Sequence, residues 1–373
     1  MTGRPDSATP AAPAVGPDLP AAPERILVHR LGSLGDTTIV LPLFHMLRRR
    51  WPAAEIRVMT NFPVATEAAP LQAVLGNERF ATGYFAYPGG TRSPSALLRL
   101  ARSIRAWRPD IAIYANEVRS LPVTLRDGAF LRFCGARRVY GLPLSRRARR
   151  HGFDPATGLY EREAARIARA LEALGGIRIN DPEDRDIALT DAERGSVAAM
   201  LSDWPGRGRF MAFSPGTKLA MKDWTDPNWI SVFEAVSKAD PGLGIVVVGA
   251  PKDRERADAL LAHWAGAALN RCGEAPPRIS AGLIGRAVLF LGNDSGPMHL
   301  AASVGTPAVA VFSRHARPGI WFPLGREHRV FYPGLAWSGG DPPAMRDAGG
   351  ETTIASIPAG QVTDACLRIL RTR

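Results

Sequence analysis

Short apolar, β-branched runs recur along this chain, each closed by a glycine- or proline-bearing turn and usually followed by a longer helical pattern. Residues 26–31, 56–60, 111–115 and 138–141 make one series; 210–214, 245–249, 288–292 and 308–312 make a second. Strands of this kind, spaced by helices, build parallel sheets covered on both faces. The pattern predicts helices over 37–50 and 160–174. Between the two series the chain turns polar and turn-rich from Gly175 to Asp191. At 373 residues there is room for two α/β domains. Their expected bounds are 24–180 and 209–373, with a linker over 181–208 and a last helix free to pack back on the first domain. Two such domains leave a cleft between them, and ligands of open α/β sheets bind outside the carboxyl ends of the strands. The chemistry is therefore sought in the turns after the strands.

Four turns qualify. The first, Arg30 to Thr37, carries Gly32, Ser33, Gly35 and Asp36. Its glycines permit a tight turn and close backbone approach, but the spacing is not the dinucleotide fingerprint. Asp36 sits where a helix cap belongs, and equally where a general base would face the cleft. Spacing does not choose between the two. The second turn, Ser214 to Lys218 with Lys222-Asp223-Trp224 beyond it, offers Lys218 and Lys222 to one diphosphate, or two ordinary surface lysines. The third, Gly249 to Glu255, places Asp253 where an acid can accept from ribose hydroxyls or simply favour a helix N-terminus. The fourth is the most specific: Asn293, Asp294, Ser295 and Gly296 lead into a helix of small residues with His299 one turn in. Backbone N–H groups at such a helix start hold an anion without a metal. Trp321 to Gly325 is either a pocket wall or a packed turn.

Composition narrows the function classes. The net charge of +12 is concentrated: thirteen arginines fall between Ser95 and Arg150, opposed only by Asp110, Glu117 and Asp127. That segment suits phosphates, acidic sugars or an anionic membrane face, and equally a set of solvated helix faces. Aromatic residues are not interleaved with it, which argues against nucleic acid. Cys134, Cys272 and Cys366 are far apart, so neither a disulfide framework nor a zinc site is expected. Asp184-Arg185-Asp186 matches an acidic metal motif but falls in the linker, and no metal is assigned. The Ala- and Pro-rich leader, residues 1–23, is expected to be disordered. With no apolar run of membrane-spanning length, a cytoplasmic location is expected, with peripheral contact at the inner membrane surface as an option.

Taken in order, these motifs resemble glycosyltransferase family 9, the lipopolysaccharide heptosyltransferases and their relatives. Arg30 to Asp36 is similar to that family's opening motif, and Gly292 to Ala302 to its most diagnostic one. The resemblance implies a GT-B fold, two Rossmann-like domains with parallel sheets facing a central cleft. It also implies metal-free, cofactor-free inverting transfer from a nucleotide-sugar, by default ADP-heptose, onto an anionic glycolipid or saccharide acceptor. Asp36 would then be the base, with Gly32, Ser33 and Gly35 in the acceptor loop. Lys222 would contact the donor phosphates, Asp253 the ribose, and Asp294 to Gly296 with His299 the diphosphate. The chain departs from the family at Thr217 to Met221 and at Ser313 to Pro318, which border the expected donor pocket. Two alternative readings of this chain stay open on the same scaffold: a nucleotide-sugar epimerase, and a non-catalytic nucleotide- or polyanion-binding protein.

Overall fold

The structure is a computed structural model that describes residues 22–61, 69–76, 78–88, 93–206, 208–337, 345–347 and 353–372. All but the last two residues of the 1–23 leader lie outside that set.

The first sheet contains β1 (Arg25–His29), β2 (Glu55–Asn61), β3 (Gly83–Tyr87), β4 (Ile111–Tyr114) and β5 (Arg138–Tyr140), in the order β3-β2-β1-β4-β5. After a small hairpin, β6 (Phe153–Asp154) and β7 (Leu159–Tyr160), the second sheet begins. It comprises β8 (Phe210–Ser214), β9 (Gly244–Val247), β10 (Ala268–Asn270), β11 (Phe290–Asn293), β12 (Ala308–Val311) and β13 (Arg329–Phe331), in the order β10-β9-β8-β11-β12-β13. Every pairing within these two sheets is parallel. A short antiparallel ribbon, β14 (Leu335–Trp337) with β15 (Met345–Asp347), follows.

Both sheets are doubly wound, and alternation in the central strands explains why. In β1, Ile26 and Val28 enter one apolar layer while Leu27 enters the opposite one, all fully buried. The first of these layers is continuous across the molecule. It joins Val28 and Phe44 of the first domain to Ile284, Met298 and Leu300 of the second. The second domain keeps a separate layer on its far side, around Trp224, Trp229 and Phe233.

Several boundaries differ from the sequence expectation. The helix expected over 37–50 is two, Leu34–Thr38 and Leu41–Arg50. The break falls before Pro42, which has no N–H to continue the first helix. The start of the helix expected over 160–174 is the strand β7, so the helix runs only Glu163–Ala170, with a 3-10 turn after it. The stretch taken as linker holds the helices Pro182–Arg185 and Asp191–Met200, and Val197 of the latter packs against Gly282 of the Pro277–Arg286 helix. The last helix, Ala359–Leu370, stays with the second domain: its buried face joins the Trp229 layer, and Arg209 donates to its Leu370 carbonyl at 2.9 Å. It does not return to the first domain.

Asp184 is buried and ion-paired to Arg49 at 2.7 Å and to Arg178 at 2.8 Å, so its charge is spent on structure. Among the described residues no group of three or more His, Cys, Asp or Glu is placed to hold a metal ion, and no helix is long and apolar enough to cross a membrane.

Candidate functional site

The carboxyl ends of both sheets open on one interdomain cavity of about 880 Å³, within the range of ligand pockets. Ser33 to Asp36, Ala69 and Glu117 line it from the first domain; the turns after β8, β9 and β11 line it from the second. All four turns singled out in the sequence therefore reach one space.

On the first-domain side the turn after β1 is built around Arg30, which is fully buried. Its guanidinium donates to the Asp36 carbonyl at 2.9 and 2.6 Å and to the Ala115 carbonyl at 2.7 Å. One cation thus ties the ends of β1 and β4 together. The Asp36 carboxylate accepts from the Ser33 N–H at 2.7 Å and the Ser33 hydroxyl at 3.1 Å, and its other oxygen lies 3.5 Å from Arg30. The N-cap of the Leu34–Thr38 helix is therefore Ser33 and not Asp36, which is the third residue of that helix. The Asp36 carboxylate reaches back to the cap N–H, and it also faces the cavity. Burial raises its carboxyl, but Arg30, the Ser33 hydrogen bonds and Glu117 outweigh burial and hold it below the usual carboxylate range.

Gly32 is not in the cavity wall. At φ 134° it adopts a conformation that favours glycine, and a Cβ there would lie 2.4 Å from that of Asp36. Its role is to let Asp36 fold back. Ser33 and Gly35 do line the space.

On the second-domain side Lys222 reaches Asp294 with an Nζ–Oδ2 distance of 2.6 Å, and Asp294 is 6% exposed. A carboxylate in that position fixes the ammonium and leaves two of its protons for a ligand. Lys218 extends across the cleft to the Ser33 hydroxyl at 2.9 Å. The loop bearing both lysines is anchored by Trp224, fully buried edge-on to Trp229 and donating to the Ile357 carbonyl at 3.1 Å. Thr225 in the same loop takes φ 73°, a costly conformation for a β-branched residue.

Asn293 belongs to this scaffold and not to the ligand surface. It is fully buried, its amide donates to the Pro215 carbonyl at 3.1 Å and its oxygen accepts from the Trp224 N–H at 3.3 Å. Expecting it to bind donor missed that both ends of the amide are consumed in bracing the lysine loop.

Ser295 precedes the Gly296–Ser303 helix, whose first turn contains Pro297. The buried Ser295 hydroxyl has no partner, and neither has that of Ser214, which also lines the cavity. Two orphaned hydroxyls beside a helix start mark a place where a polar ligand completes the hydrogen bonding. His299 is 5% exposed, its ring set against Gly35. Burial lowers its pKa against the opposing pull of Asp294 and Asp36, which favours the neutral imidazole. Asp253 lines the cavity while its carboxylate accepts from the Ala250 N–H at 2.8 Å, beside Gly216 and Gly249. Trp321 faces the cavity, whereas Phe322 and Leu324 behind it are core.

Sequence reasoning missed Glu117, counted there only as a charge opposing the arginines. It follows β4 as Asp36 follows β1, and those strands are neighbours, His29 level with Tyr114. The strand-end rule that found Asp36 would have found it too.

A cleft between two Rossmann-like domains, with lysines, orphaned hydroxyls and a helix N-terminus on one wall and a held carboxylate on the other, defines a glycosyltransferase of the GT-B fold. The chain belongs to glycosyltransferase family 9 (heptosyltransferase), whose model matches residues 98–334. A search of curated proteins finds no match. Among solved structures the chain is similar to a family 9 glycosyltransferase from Veillonella parvula, with TM-score 0.70 and 20% identity over 94% of this chain and 98% of that one. It is also similar to E. coli ADP-heptose lps heptosyltransferase II, with TM-score 0.64 and 21% identity over 93% and 99%. E. coli heptosyltransferase WaaC with ADP gives TM-score 0.60 and 16% identity over 92% and 99%.

Proposed function

We propose that this glycosyltransferase moves a sugar, heptose from ADP-heptose in the first instance, onto an anionic cell-envelope saccharide by a single inverting displacement without a metal. The observation that carries the reading is the placing of Asp36 and the Lys222–Asp294 pair on opposite walls of one cavity. Asp36 takes the proton of the acceptor hydroxyl as that oxygen attacks the anomeric carbon. The bond to the diphosphate breaks on the opposite face. Lys222, the Ser295 hydroxyl and the N–H groups opening the Gly296–Ser303 helix take up the charge growing on the leaving group. Lys218, whose ammonium is lowered chiefly by burial, spans the gap between the walls. Asp253 is assigned to the ribose.

Lys222→Ala tests the phosphate assignment. ADP affinity measured by calorimetry is expected to fall roughly 10- to 100-fold, the scale of a lost charge-assisted hydrogen bond. Unchanged affinity would remove Lys222 from the donor site.

The acceptor is assigned to the first domain. Eleven of the thirteen arginines between Ser95 and Arg150 are exposed. Of the three opposing acids, Asp127 pairs with Arg119 and Arg126 of the same set, whereas Asp110 is committed outside it, to the N–H groups of Glu24 and Arg25. Leu121, Leu125, Leu144 and Phe153 in the same region are exposed as well. Basic and apolar groups together suit peripheral contact with an anionic membrane on the cytoplasmic side. Phosphatidylglycerol vesicles are expected to sediment the protein at low salt and release it at about 1 M, where the screening length is roughly 3 Å. Equal sedimentation with neutral vesicles would count against the assignment.

A further inference from the structure

Asp36 poses a difficulty as a base. Held below the ordinary carboxylate range, it is a weak proton acceptor, whereas general bases work best near the operating pH. The structure places a second carboxyl against it. Asp36 and Glu117 follow adjacent strands and line the same cavity, and the Asp36 carboxylate acts on Glu117 strongly enough to raise it. The arrangement is fixed by the fold. Arg30 clamps the β1 and β4 ends through Asp36 and Ala115, and the Leu31 N–H donates to the Asn116 side chain at 2.6 Å. Two carboxyls that shift each other's ionisation in this way titrate as a unit.

We propose that Glu117 is a positioning residue that holds the proton Asp36 removes from the acceptor, so that the working base is the Asp36–Glu117 pair. This rests on Asp36 being the base. As the acceptor O–H bond breaks and its oxygen bonds to the anomeric carbon, the proton passes to Asp36 and onward to the ionised Glu117 carboxylate. The nucleoside diphosphate leaves with the electron pair of the broken C–O bond. The reaction ends with Asp36 ionised and Glu117 protonated, and release of that proton to cleft water restores the pair.

The charges around the pair agree with this direction of transfer. Glu117 faces Asp36, Arg30 and, behind it, Glu163. Asp36 faces Arg30, Ser33, Lys218 and the neutral His299. Glu163 is itself held by Arg166 at 2.6 Å, with His151 3.3 Å away. Arg30 and Lys218 thus favour the ionised form of Asp36, while Glu163 and Asp36 favour the protonated form of Glu117. Although water reaches Glu117 through the cleft, the protein packed around its carboxyl and the neighbouring Asp36 carboxylate push it up to about 7.

The test is Glu117→Gln, which keeps the shape and a hydrogen bond but cannot take the proton. With ADP-heptose and a delipidated lipopolysaccharide core oligosaccharide, wild-type kcat is expected to rise with pH through about 7. The variant is expected to be flat, roughly 10-fold slower at pH 8.5 and close to wild type at pH 5.5, with ADP affinity unchanged. A constant ratio of the two rates across that range would overturn the proposal. Carbon-13 titration of the glutamate carboxyls in the ADP-bound protein gives a readout that needs no turnover. One resonance titrating near 7, missing in Glu117→Gln and moved toward the ordinary range in Asp36→Asn, supports the pair; its absence from the wild type overturns it. The two readings also separate. If Asp36→Asn retains full turnover the base assignment fails, whereas an inactive Asp36→Asn beside an unaltered Glu117→Gln profile removes only the relay.

Discussion

Asp36→Asn is expected to lower turnover by about 10³-fold while leaving ADP affinity within a factor of about 2, because a general base contributes typically 10² to 10⁴ to rate and nothing to donor binding. The amide can still accept from the Ser33 N–H, so the turn keeps its cap and the fold should survive. This separates the two roles that the sequence left open. A residue that was only a cap would show a modest loss of stability and near-normal turnover. A base shows the reverse. Single-turnover kinetics beside calorimetry on the same preparation would check it.

The second large effect is on the junction between the domains. Arg278, on the Pro277–Arg286 helix of the second domain, is 4% exposed. It donates to the Val74 carbonyl of the first domain at 2.9 Å, to the Ile187 and Ala188 carbonyls at 2.9 Å each, and to Glu193 at 2.8 Å. Arg278→Ala removes the guanidinium from three buried carbonyls and from the Glu193 carboxylate, which keeps only its bonds from the Thr190 N–H and hydroxyl. Loss of one partner from a buried pair costs about 3 to 5 kcal/mol, and the lower figure applies here because water reaches Glu193 from one side. Denaturant unfolding should show that loss, and Arg278→Lys should fall between the two. A change within about 0.5 kcal/mol, the ordinary range for a surface substitution, would show that Arg278 does not bind the domains together.

The same contact carries a pH dependence. Hydrogen bonds from Arg278 hold Glu193 down to about 2, so its contribution is fully present above about 4.5 and is lost as pH falls toward 2. Acid unfolding of Arg278→Ala should therefore lack part of the wild-type dependence in that interval.

How much of this was legible in the sequence follows from where each residue sits. The inner strands β1, β4, β8, β9, β11 and β12 are buried on both faces, and continuous apolar runs announce them. Within the two parallel sheets, the strands that sequence reading missed, β3, β10 and β13, are all sheet edges. Gly83–Tyr87 and Ala268–Asn270 are mostly half-buried, so their residues carry no such run. The cleft was legible for a related reason: in tandem doubly wound sheets the site must lie at the strand ends, and a short turn there leaves few residues to choose from.

What was not legible is the division of labour within a motif. Gly292 to Gly296 read as one phosphate cradle, yet Asn293 is turned inward to hold Pro215 and Trp224 while Asp294 holds Lys222. Neighbouring residues at a strand end point in opposite directions, and only the partner elements decide which one meets the ligand. Glu117 was hidden differently. Its partner Asp36 is far off in sequence, and the two meet only because β1 and β4 are adjacent.

The central claim is that a sugar leaves a nucleotide-sugar in this cleft and reaches an acceptor with inversion through Asp36. The most direct measurement incubates the protein in EDTA with ADP-heptose and the core oligosaccharide, alongside GDP- and UDP-sugars. Proton NMR then reads the anomeric configuration of the product and the state of the donor when no acceptor is added. The expected result is a new glycosidic linkage of opposite anomeric configuration to the donor, formed by the wild type and not by Asp36→Asn, with the donor sugar unchanged in the absence of acceptor. A retained configuration, a linkage formed at the wild-type rate by Asp36→Asn, or conversion of the donor alone into its epimer would contradict it.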